Sequence, residues 1–185
     1  MQGIAPTFND GSLFGASVHP TSGPISSVTN GDVGFRDSIH IATGGIMTIA
    51  LAERTDIDQI NSYTSWRFDR IDQRYTVLSS TNGVTYTPIP DGTNVNQDHA
   101  DPDVDGEQLV ELTSLGLTGV THLRWDFSVP QPAGFAAYSE FAAFGSPSIV
   151  STVPEPSTLC VLVFGSLGVW VRRQRSLMKS HTELP

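Results

Sequence analysis

The chain contains a single cysteine, Cys160, among 185 residues, and no lysine before residue 154. One cysteine excludes an intrachain disulfide, and no CxxC or Cys/His spacing suited to a zinc site is present. The GxSxG, HExxH and GxxxxGKS/T patterns are also missing, which removes the commonest motifs of serine hydrolases, zinc proteases and P-loop proteins. We therefore predict that the protein is not an enzyme.

Charged residues make up 16% of the chain, against roughly 25% in an average soluble domain. Residues 1–153 contain six arginines and seventeen Asp or Glu residues, a formal charge of −11, whereas residues 154–185 carry +2. An acidic body lacks the Lys/Arg surface that a phosphate backbone requires, so we predict no nucleic-acid partner.

Turn-forming residues are abundant, and the 17 Gly and 12 Pro favour short strands joined by turns. Gly44-Gly45 is typical of a turn, and Asn82-Gly83 is the strongest hairpin signal. About eight segments before residue 153 have strand character, and none has a sustained helical period, which predicts an all-β sandwich rather than a barrel or an α/β fold. The segments are Ser38–Gly45, Ile46–Glu53, Asp56–Trp66, Arg74–Thr81, Val84–Pro90, Gln108–Leu115, Val120–Val129 and Ser139–Gly145.

Two of these regions resemble a discoidin-type module, the C-domain-like module of coagulation factors 5 and 8. QINSYTSWRFDRIDQRYTVLSSTNGVTYTPI, residues 59–89, is similar to its central part, where a "vys.w" element leads through an arginine to "ytv..S.dG..yt.i". YSEFAAFG, Tyr138–Gly145, is similar to its last strand. The resemblance covers about residues 26–145 and implies a galactose-binding-like jelly-roll sandwich. The family's bracketing cysteine pair is absent here, and its variable recognition loops assign no ligand residue.

Two tryptophans and five histidines are candidates for chemistry within this fold. Trp66 and Trp125 could each be an exposed stacking platform for sugar, but an aromatic residue inside a strand of a small sandwich belongs more often to the core. The histidines, at positions 19, 40, 99, 122 and 181, fall on different predicted elements or loops, so we expect no catalytic histidine. The paired carboxylates Asp56/Asp58 and Asp69/Asp72 are expected to be surface charge.

The most acidic loop spells D-x-D-x-D-G, with Asp101, Asp103 and Asp105 before Gly106. Alternating carboxylates before a tight turn can converge on Ca²⁺, which takes six to eight oxygen ligands. An EF-hand is excluded because position twelve is Leu112 rather than Glu. A solvated acidic turn and a structural calcium loop of another type both remain open; discoidin-like sandwiches often carry such a calcium, which the resemblance adds to the second interpretation.

The C-terminal part has three features in a fixed order: Val153-Pro154-Glu155-Pro156, an uncharged run at 159–171, and Arg172, Arg173 and Arg175. This order resembles a PEP-CTERM sorting segment over residues 153–176. The resemblance implies recognition in the inner membrane of a bacterium, processing near Pro-Glu-Pro by an exosortase-type membrane cysteine protease, and release of the body to the cell surface or extracellular matrix.

The thirteen uncharged residues at 159–171 predict a short transmembrane helix. At 1.5 Å per residue it would span about 20 Å, short of the roughly 30 Å hydrocarbon core, as suits a temporary anchor. The arginines would hold its end in the cytoplasm. Cys160 in this run is a small apolar filler or, alternatively, a site of reversible acylation.

These features predict five regions. They are a loop-rich lead at 1–25, a sandwich at 26–145, a Pro/Ser/Thr linker at 146–158, the helix at 159–171 and a basic cytoplasmic tail at 172–185. The first residues do not read as an export signal, and we expect that the lead is truncated or that the start site differs.

The function predicted from the sequence is that of an exported surface or matrix protein whose sandwich binds polysaccharide. Two alternatives stay open: an accessory domain of a truncated secreted hydrolase, and a structural surface protein with no ligand. No cofactor is predicted beyond the possible structural Ca²⁺.

Overall fold

The computed structural model of the protein describes residues 4–8, 25–33, 38–99 and 105–149. These ranges contain nine β-strands and two 3₁₀ helices, the helices at Ile25–Thr29 and Phe68–Ile71. The strands are β1 (Thr7–Phe8), β2 (Ile39–Ala42), β3 (Ile46–Arg67), β4 (Gln73–Ser80), β5 (Thr87–Pro88), β6 (Val95–Gln97), β7 (Asp105–Leu112), β8 (Leu117–Asp126) and β9 (Phe135–Pro147).

The strand β3 is continuous over 22 residues and runs through both sheets of the sandwich. Its first half pairs with β1 and β8, and its second half pairs with β7 and β9. The pairing register shifts between Ala50 and Ile57. Irregularities of this kind let a strand bend sharply, so β3 can take part in both sheets. The sequence predicted two separate strands here, and the structure replaces them by one bent strand.

All described strand pairs are antiparallel. The described strands form one continuous nine-stranded network in the order β2-β9-β3-β8-β4-β5, in which β1 and β7 also pair with β3 and β6 also pairs with β4. The bend in β3 divides this network into two layers, which we call the first and second sheets. The first sheet contains β2, β9, the second half of β3 and β7, and the second contains β1, the first half of β3, β8, β4, β5 and β6. The expected all-β sandwich is therefore confirmed.

The core between the sheets is rich in aromatic side chains. Trp125, Tyr75, Tyr138, Phe127 and Phe141 are all fully buried. Tyr138 and Phe141 stack with ring centroids 4.8 Å apart, and Trp125 lies 5.0 Å from Phe141. Large rings of this kind supply much of the apolar area that stabilises a small sandwich.

A polar bridge crosses the core between the sheets. The Ser62 hydroxyl on β3 lies 2.6 Å from the Tyr75 hydroxyl on β4 and donates to Gln73 Oε1 at 2.5 Å. Gln73 Nε2 donates in turn to the carbonyl of Gln108 on β7 at 3.2 Å. Burial raises the pKa of Tyr75 above its usual range, so this phenol stays protonated and available as a donor.

The two turns that the sequence predicted differ in what they connect. Gly44 adopts φ 88° and joins β2 to β3, but these strands belong to different sheets, so the turn is a crossover rather than a hairpin. Beyond β4, the Asn82 side chain accepts from the N–H groups of Val84 and Thr85 at 2.8 and 2.9 Å. This side-chain turn opens a loop from Thr81 to Tyr86, longer than the predicted two-residue hairpin.

Two further observations concern the ends of the chain. Thr7–Phe8, inside the predicted lead, pair with Thr48 and Met47 of β3. Within the described ranges no helix is long and apolar enough to cross a membrane. The predicted helix at 159–171, the sorting residues Val153–Pro156 and the three arginines lie outside those ranges.

Candidate functional site

A groove lies on the outer face of the first sheet, and we call it the sheet-one groove. Its cavity has a volume of about 380 Å³, within the roughly 300–1,000 Å³ of small-molecule sites. It is lined by Gly31, Val33, Tyr63, Glu140, Ala142, Ala143 and Phe144. The central strands β3 and β9 form its floor, and residues 31–33 form one wall.

Three polar side chains of β3 follow one another along this face. Gln59, Asn61 and Tyr63 are two residues apart, so they point to the same side of the sheet. Gln59 Nε2 donates to Asn61 Oδ1 at 2.8 Å, and Asn61 Nδ2 donates to the Tyr63 hydroxyl oxygen at 3.2 Å. Gln59 Nε2 also lies 3.2 Å from Glu111 Oε1 on β7. The chain of bonds fixes these amides and the phenol in one orientation.

Glu140 of β9 is the acidic group of the groove. It is paired with Tyr63 across the sheet, and only 5% of its surface is exposed. Burial raises the pKa of Glu140 to about 6, while the Gly31 N–H, which donates to Oε2 at 3.1 Å, opposes the rise. At neutral pH Glu140 is therefore an ionised acceptor facing the cavity.

A backbone irregularity in β9 puts Glu140 in this position. Thr64 pairs with Tyr138, and Tyr63 pairs with Glu140, so Ser139 is the extra residue of a bulge. Without the bulge, Tyr138 and Glu140 would share a face, because alternate residues of a strand do. The bulge allows Tyr138 to enter the core while Glu140 faces the groove.

Apolar side chains border the polar floor. Phe144 is 51% exposed, Leu109 is 44% exposed and Val33 is 38% exposed. An exposed ring beside fixed amide, hydroxyl and carboxylate groups suits a ligand that has both an apolar face and many hydroxyl groups, since each kind of contact has its partner.

The sequence did not identify this site, although part of its signal was present. QINSY alternates outward polar residues with Ile60 and Ser62, which are both buried. The shift of register between Ile57 and Gln59 explains why Ile57 and Ile60, three residues apart, are both buried. From Gln59 onward the strand alternates regularly, so Tyr63 lies on the face opposite to Ile60.

The two tryptophans are both buried, as expected for core aromatics. Trp125 is fully buried between the sheets, and Trp66 is 6% exposed. Trp66 packs with its ring 5.0 Å from that of His40, and Phe135 lies 4.8 Å from His40 on the other side. Neither tryptophan is an exposed platform for a sugar.

Only one of the three predicted calcium ligands, Asp105, lies among the residues that the structure describes. Asp101 and Asp103 lie outside the described residues, and Asp105 begins β7. Among the residues that are described, no three His, Cys, Asp or Glu side chains are grouped to hold a metal ion. The calcium loop therefore stays a prediction.

Two carboxylates expected to be surface charge have structural contacts. Asp56 accepts from the Ser148 hydroxyl and from the Gly119 N–H at 2.8 Å, and these bonds lower its pKa. Asp72 is 8% exposed and accepts from the His99 N–H at 2.6 Å. The expectation was wrong for Asp72, because a carboxylate at the end of one loop can fix the backbone of another.

Comparisons with known proteins identify the tail and the fold. The PEP-CTERM protein-sorting motif matches residues 152–176. No curated protein sequence matches the chain significantly.

Carbohydrate-binding modules are among the similar solved structures. CpGH89CBM32-5 from Clostridium perfringens, in complex with GalNAc-β-1,3-galactose, is 16% identical over 77% of this chain and 96% of that one, with a TM-score of 0.53. CBM32-1 from a family 31 glycoside hydrolase of the same species is 15% identical over 77% and 96%, with a TM-score of 0.55. Chitosan-binding module 1 from a Paenibacillus sp. IK-5 chitosanase/glucanase is 14% identical over 78% and 96%, with a TM-score of 0.53. The discoidin-like, galactose-binding-like fold expected from the sequence is thus confirmed.

Proposed function

We propose that the protein is an exported, non-catalytic surface protein whose sandwich binds carbohydrate in the sheet-one groove. The observation that carries this proposal is the groove itself, where the half-exposed Phe144 ring lies beside Tyr63 and Glu140, and where the Tyr63 hydroxyl is held by a hydrogen bond from Asn61. Sugars present apolar C–H faces and hydroxyl groups together, so a ring and fixed polar groups at one site match them. The carbohydrate ligands of several structural neighbours support the same class of ligand.

In the groove, each group would have a separate role. Phe144 would stack against the apolar face of a sugar ring. Ionised Glu140 would accept hydrogen bonds from sugar hydroxyls, and bonds to a charged acceptor are stronger than neutral ones. Tyr63, held in place by its bond from Asn61, would present its hydroxyl group at low entropic cost.

The binding proposal is tested by titrating the protein with purified extracellular polysaccharide and with neutral oligosaccharides in a calorimeter. Phe144→Ala is expected to weaken binding by about tenfold, which corresponds to about 1.4 kcal/mol. Val84→Ala is a matched control, because Val84 is 81% exposed and lies on the loop after β4, far along the chain from the groove residues. Equal affinities for the two variants would reject the groove as the site, and no binding to any glycan would favour a structural protein without a ligand.

Sorting is the second part of the proposal. The motif at 152–176 supports recognition by an exosortase-type protease in the inner membrane, with the predicted helix at 159–171 as a temporary anchor and Arg172, Arg173 and Arg175 on the cytoplasmic side. Processing near Val153–Pro156 would then release the body to the cell surface or matrix.

A tagged protein expressed in a host that contains the sorting system tests this part. The full chain should reach the surface in a shortened form, and a variant lacking residues 153–175 should not be retained or processed. Glu155→Ala with Pro154→Ala and Pro156→Ala keeps the helix and is expected to stop processing only. Unchanged localisation of both variants would reject the sorting role.

An accessory module of a secreted hydrolase is the alternative function. One similar structure is described as coming from a family 31 glycoside hydrolase, which favours this candidate. Coding sequence upstream distinguishes the two. A catalytic domain there would support the accessory role, and an export signal alone would support an independent surface protein.

A further inference from the structure

The outer face of the second sheet carries two arginines above the same strand. Arg124 of β8 donates from Nε to the Thr48 hydroxyl at 3.3 Å, and its Cζ lies 3.5 Å from the centre of the Tyr86 ring. Arg54 reaches over β8 from β3, because its Nη1 lies 3.9 Å from the position that a Cβ on Gly119 would occupy. Arg54 Nη2 also lies 3.5 Å from the carbonyl oxygen of Thr81.

His122 lies between these two guanidinium groups along β8. It is two residues before Arg124 and therefore faces the same side of the sheet. It pairs with Ala50 on β3 and Ser80 on β4, and its Nδ1 lies 3.0 Å from the Thr121 hydroxyl. We call Arg54, His122 and Arg124 the β8 strip.

The turn after β4 is built closely around this strip. Gly83 has φ 73°, and a Cβ added there would lie 2.7 Å from His122 Cε1. Tyr86 from the same loop lies over Arg124 and has its ring centroid 6.5 Å from that of His122. The loop therefore holds the imidazole and one guanidinium in fixed positions, as a binding surface requires.

The charge of the strip contrasts with that of the protein. The chain has a formal charge of −9, yet among the described residues neither Arg54 nor Arg124 forms an ion pair. Asp126, the next carboxylate on this face of β8, accepts from both the N–H and the hydroxyl of Ser128. Arg74, by contrast, is paired with Asp98. Two positioned guanidinium groups without carboxylate partners leave several N–H donors for an external anion.

We propose that the β8 strip is a second binding site, specific for the acidic groups of an anionic polysaccharide. The planar guanidinium matches a carboxylate or sulfate with two parallel hydrogen bonds. Two such groups along one strand suit a polymer that repeats its acidic group, and His122 with Thr121 provides donors between them. Duplex nucleic acid carries a phosphate on every nucleotide of both strands and requires a broad Lys/Arg surface, whereas the two guanidinium groups of the strip suit acidic groups spaced along a single chain.

This site is independent of the sheet-one groove, because the two lie on different sheets. Failure of one proposal therefore leaves the other unaffected. Together they would place a polymer contact on each outer face of the sandwich, which would allow one molecule to bridge two chains.

The test uses the full chain in mild detergent, with calorimetric titration of polygalacturonate, dextran sulfate and neutral dextran at low salt. Arg124→Gln with Arg54→Gln is expected to weaken polygalacturonate binding by about tenfold for each arginine, the effect of losing one charge-assisted hydrogen bond. Arg70→Gln is the matched control, because it removes the same charge from a residue whose guanidinium lies 5.0 Å over Phe135. Arg124→Lys keeps the charge and is expected to weaken binding by a smaller factor, since lysine lacks the fork.

The comparison of polygalacturonate with dextran sulfate also identifies the acidic group that the strip binds. Binding of polygalacturonate alone indicates uronate, and binding of both acidic polymers indicates any repeated anion; each outcome supports the site when the strip variants abolish it. Four results would each overturn the proposal. Neutral dextran could bind as tightly as polygalacturonate, or duplex DNA could bind more tightly than polygalacturonate. Arg70→Gln could lose as much affinity as the strip variants, or the strip variants could bind like the parent. Circular dichroism of every variant confirms that the fold is retained.

Discussion

Replacing Glu140 by glutamine tests whether the buried carboxylate of the groove lowers the free energy of unfolding at neutral pH. Glu140→Gln removes the charge but keeps an oxygen that can accept the Gly31 N–H, which lies 3.1 Å from Oε2 in the parent. Because the charged form is disfavoured by burial, the variant is expected to be more stable than the parent at neutral pH. The same substitution at an unperturbed exposed glutamate would change stability little.

The magnitude follows from the pKa. Burial raises the pKa of Glu140 from 4.5 to about 6, a difference of about 1.5, and each unit corresponds to about 1.36 kcal/mol. The upper bound is therefore about 2 kcal/mol, and screening by solvent at the open groove reduces it to about 1 kcal/mol. The folded protein holds the proton more tightly than the unfolded chain, so the free energy of unfolding falls as pH rises from about 4.5 to about 6 and stays lower above it.

Urea unfolding at pH 4 and pH 7.5 measures this effect. The parent and Glu140→Gln should have similar free energies of unfolding at pH 4 and differ by about 1 kcal/mol at pH 7.5, with the variant more stable. Glu111→Gln is the control on the same face, because Glu111 is exposed. An identical pH dependence in parent and Glu140→Gln, or a less stable variant at pH 7.5, would refute the assignment of Glu140 as a buried acid.

Three further predictions address the fold and the loop that lies outside the described residues. A Cβ at Gly145 would lie 1.9 Å from a backbone oxygen of β3, so Gly145→Ala should lower the free energy of unfolding by about 3 kcal/mol. Gly44→Ala should lower it by only about 1 kcal/mol, because a Cβ at Gly44 meets nothing within 4 Å and the only cost is its φ of 88°. Ser62→Ala should cost about 1–3 kcal/mol by leaving buried polar groups unpaired, whereas Ser79→Ala should cost under about 0.5 kcal/mol; equal losses in urea unfolding would contradict the cross-sheet bridge. If the acidic loop binds calcium, millimolar Ca²⁺ should raise Tm in the parent but not in Asp103→Asn, and an unchanged Tm would identify a solvated turn.

Much of the fold could be predicted because its signals are local. The turn-forming composition, the alternation within segments and the resemblance around residues 59–89 all indicated a sandwich of short antiparallel strands. Burial of Trp125 also followed from its place inside a strand, since an aromatic in a small sandwich adds most stability in the core. The sorting motif at 152–176 was identified from sequence because three kinds of residue occur there in a fixed order.

The candidate site could not be predicted, because bulges decide which face a residue occupies. Ile57 and Ile60 are three residues apart and would lie on opposite faces of a regular strand, but the register shift between Ile57 and Gln59 places both in the core. Tyr63, three residues after Ile60, then lies on the outer face. Glu140 would have shared a face with Tyr138 without the extra residue Ser139. A period of two relates residues only within an unbroken strand, and one inserted residue reverses every assignment beyond it.

The sequence by itself therefore determined the class of fold, the separation of an acidic body from a basic sorting tail, and the absence of common catalytic motifs. Only the tertiary structure decided that β3 serves both sheets, that Glu140 faces a groove, and that Arg54 lies over the same strand, β8, that carries Arg124. The reason is physical: composition and local pattern act over a few residues, whereas these sites join side chains that are 70 or more positions apart and depend on the pairing register of several strands at once.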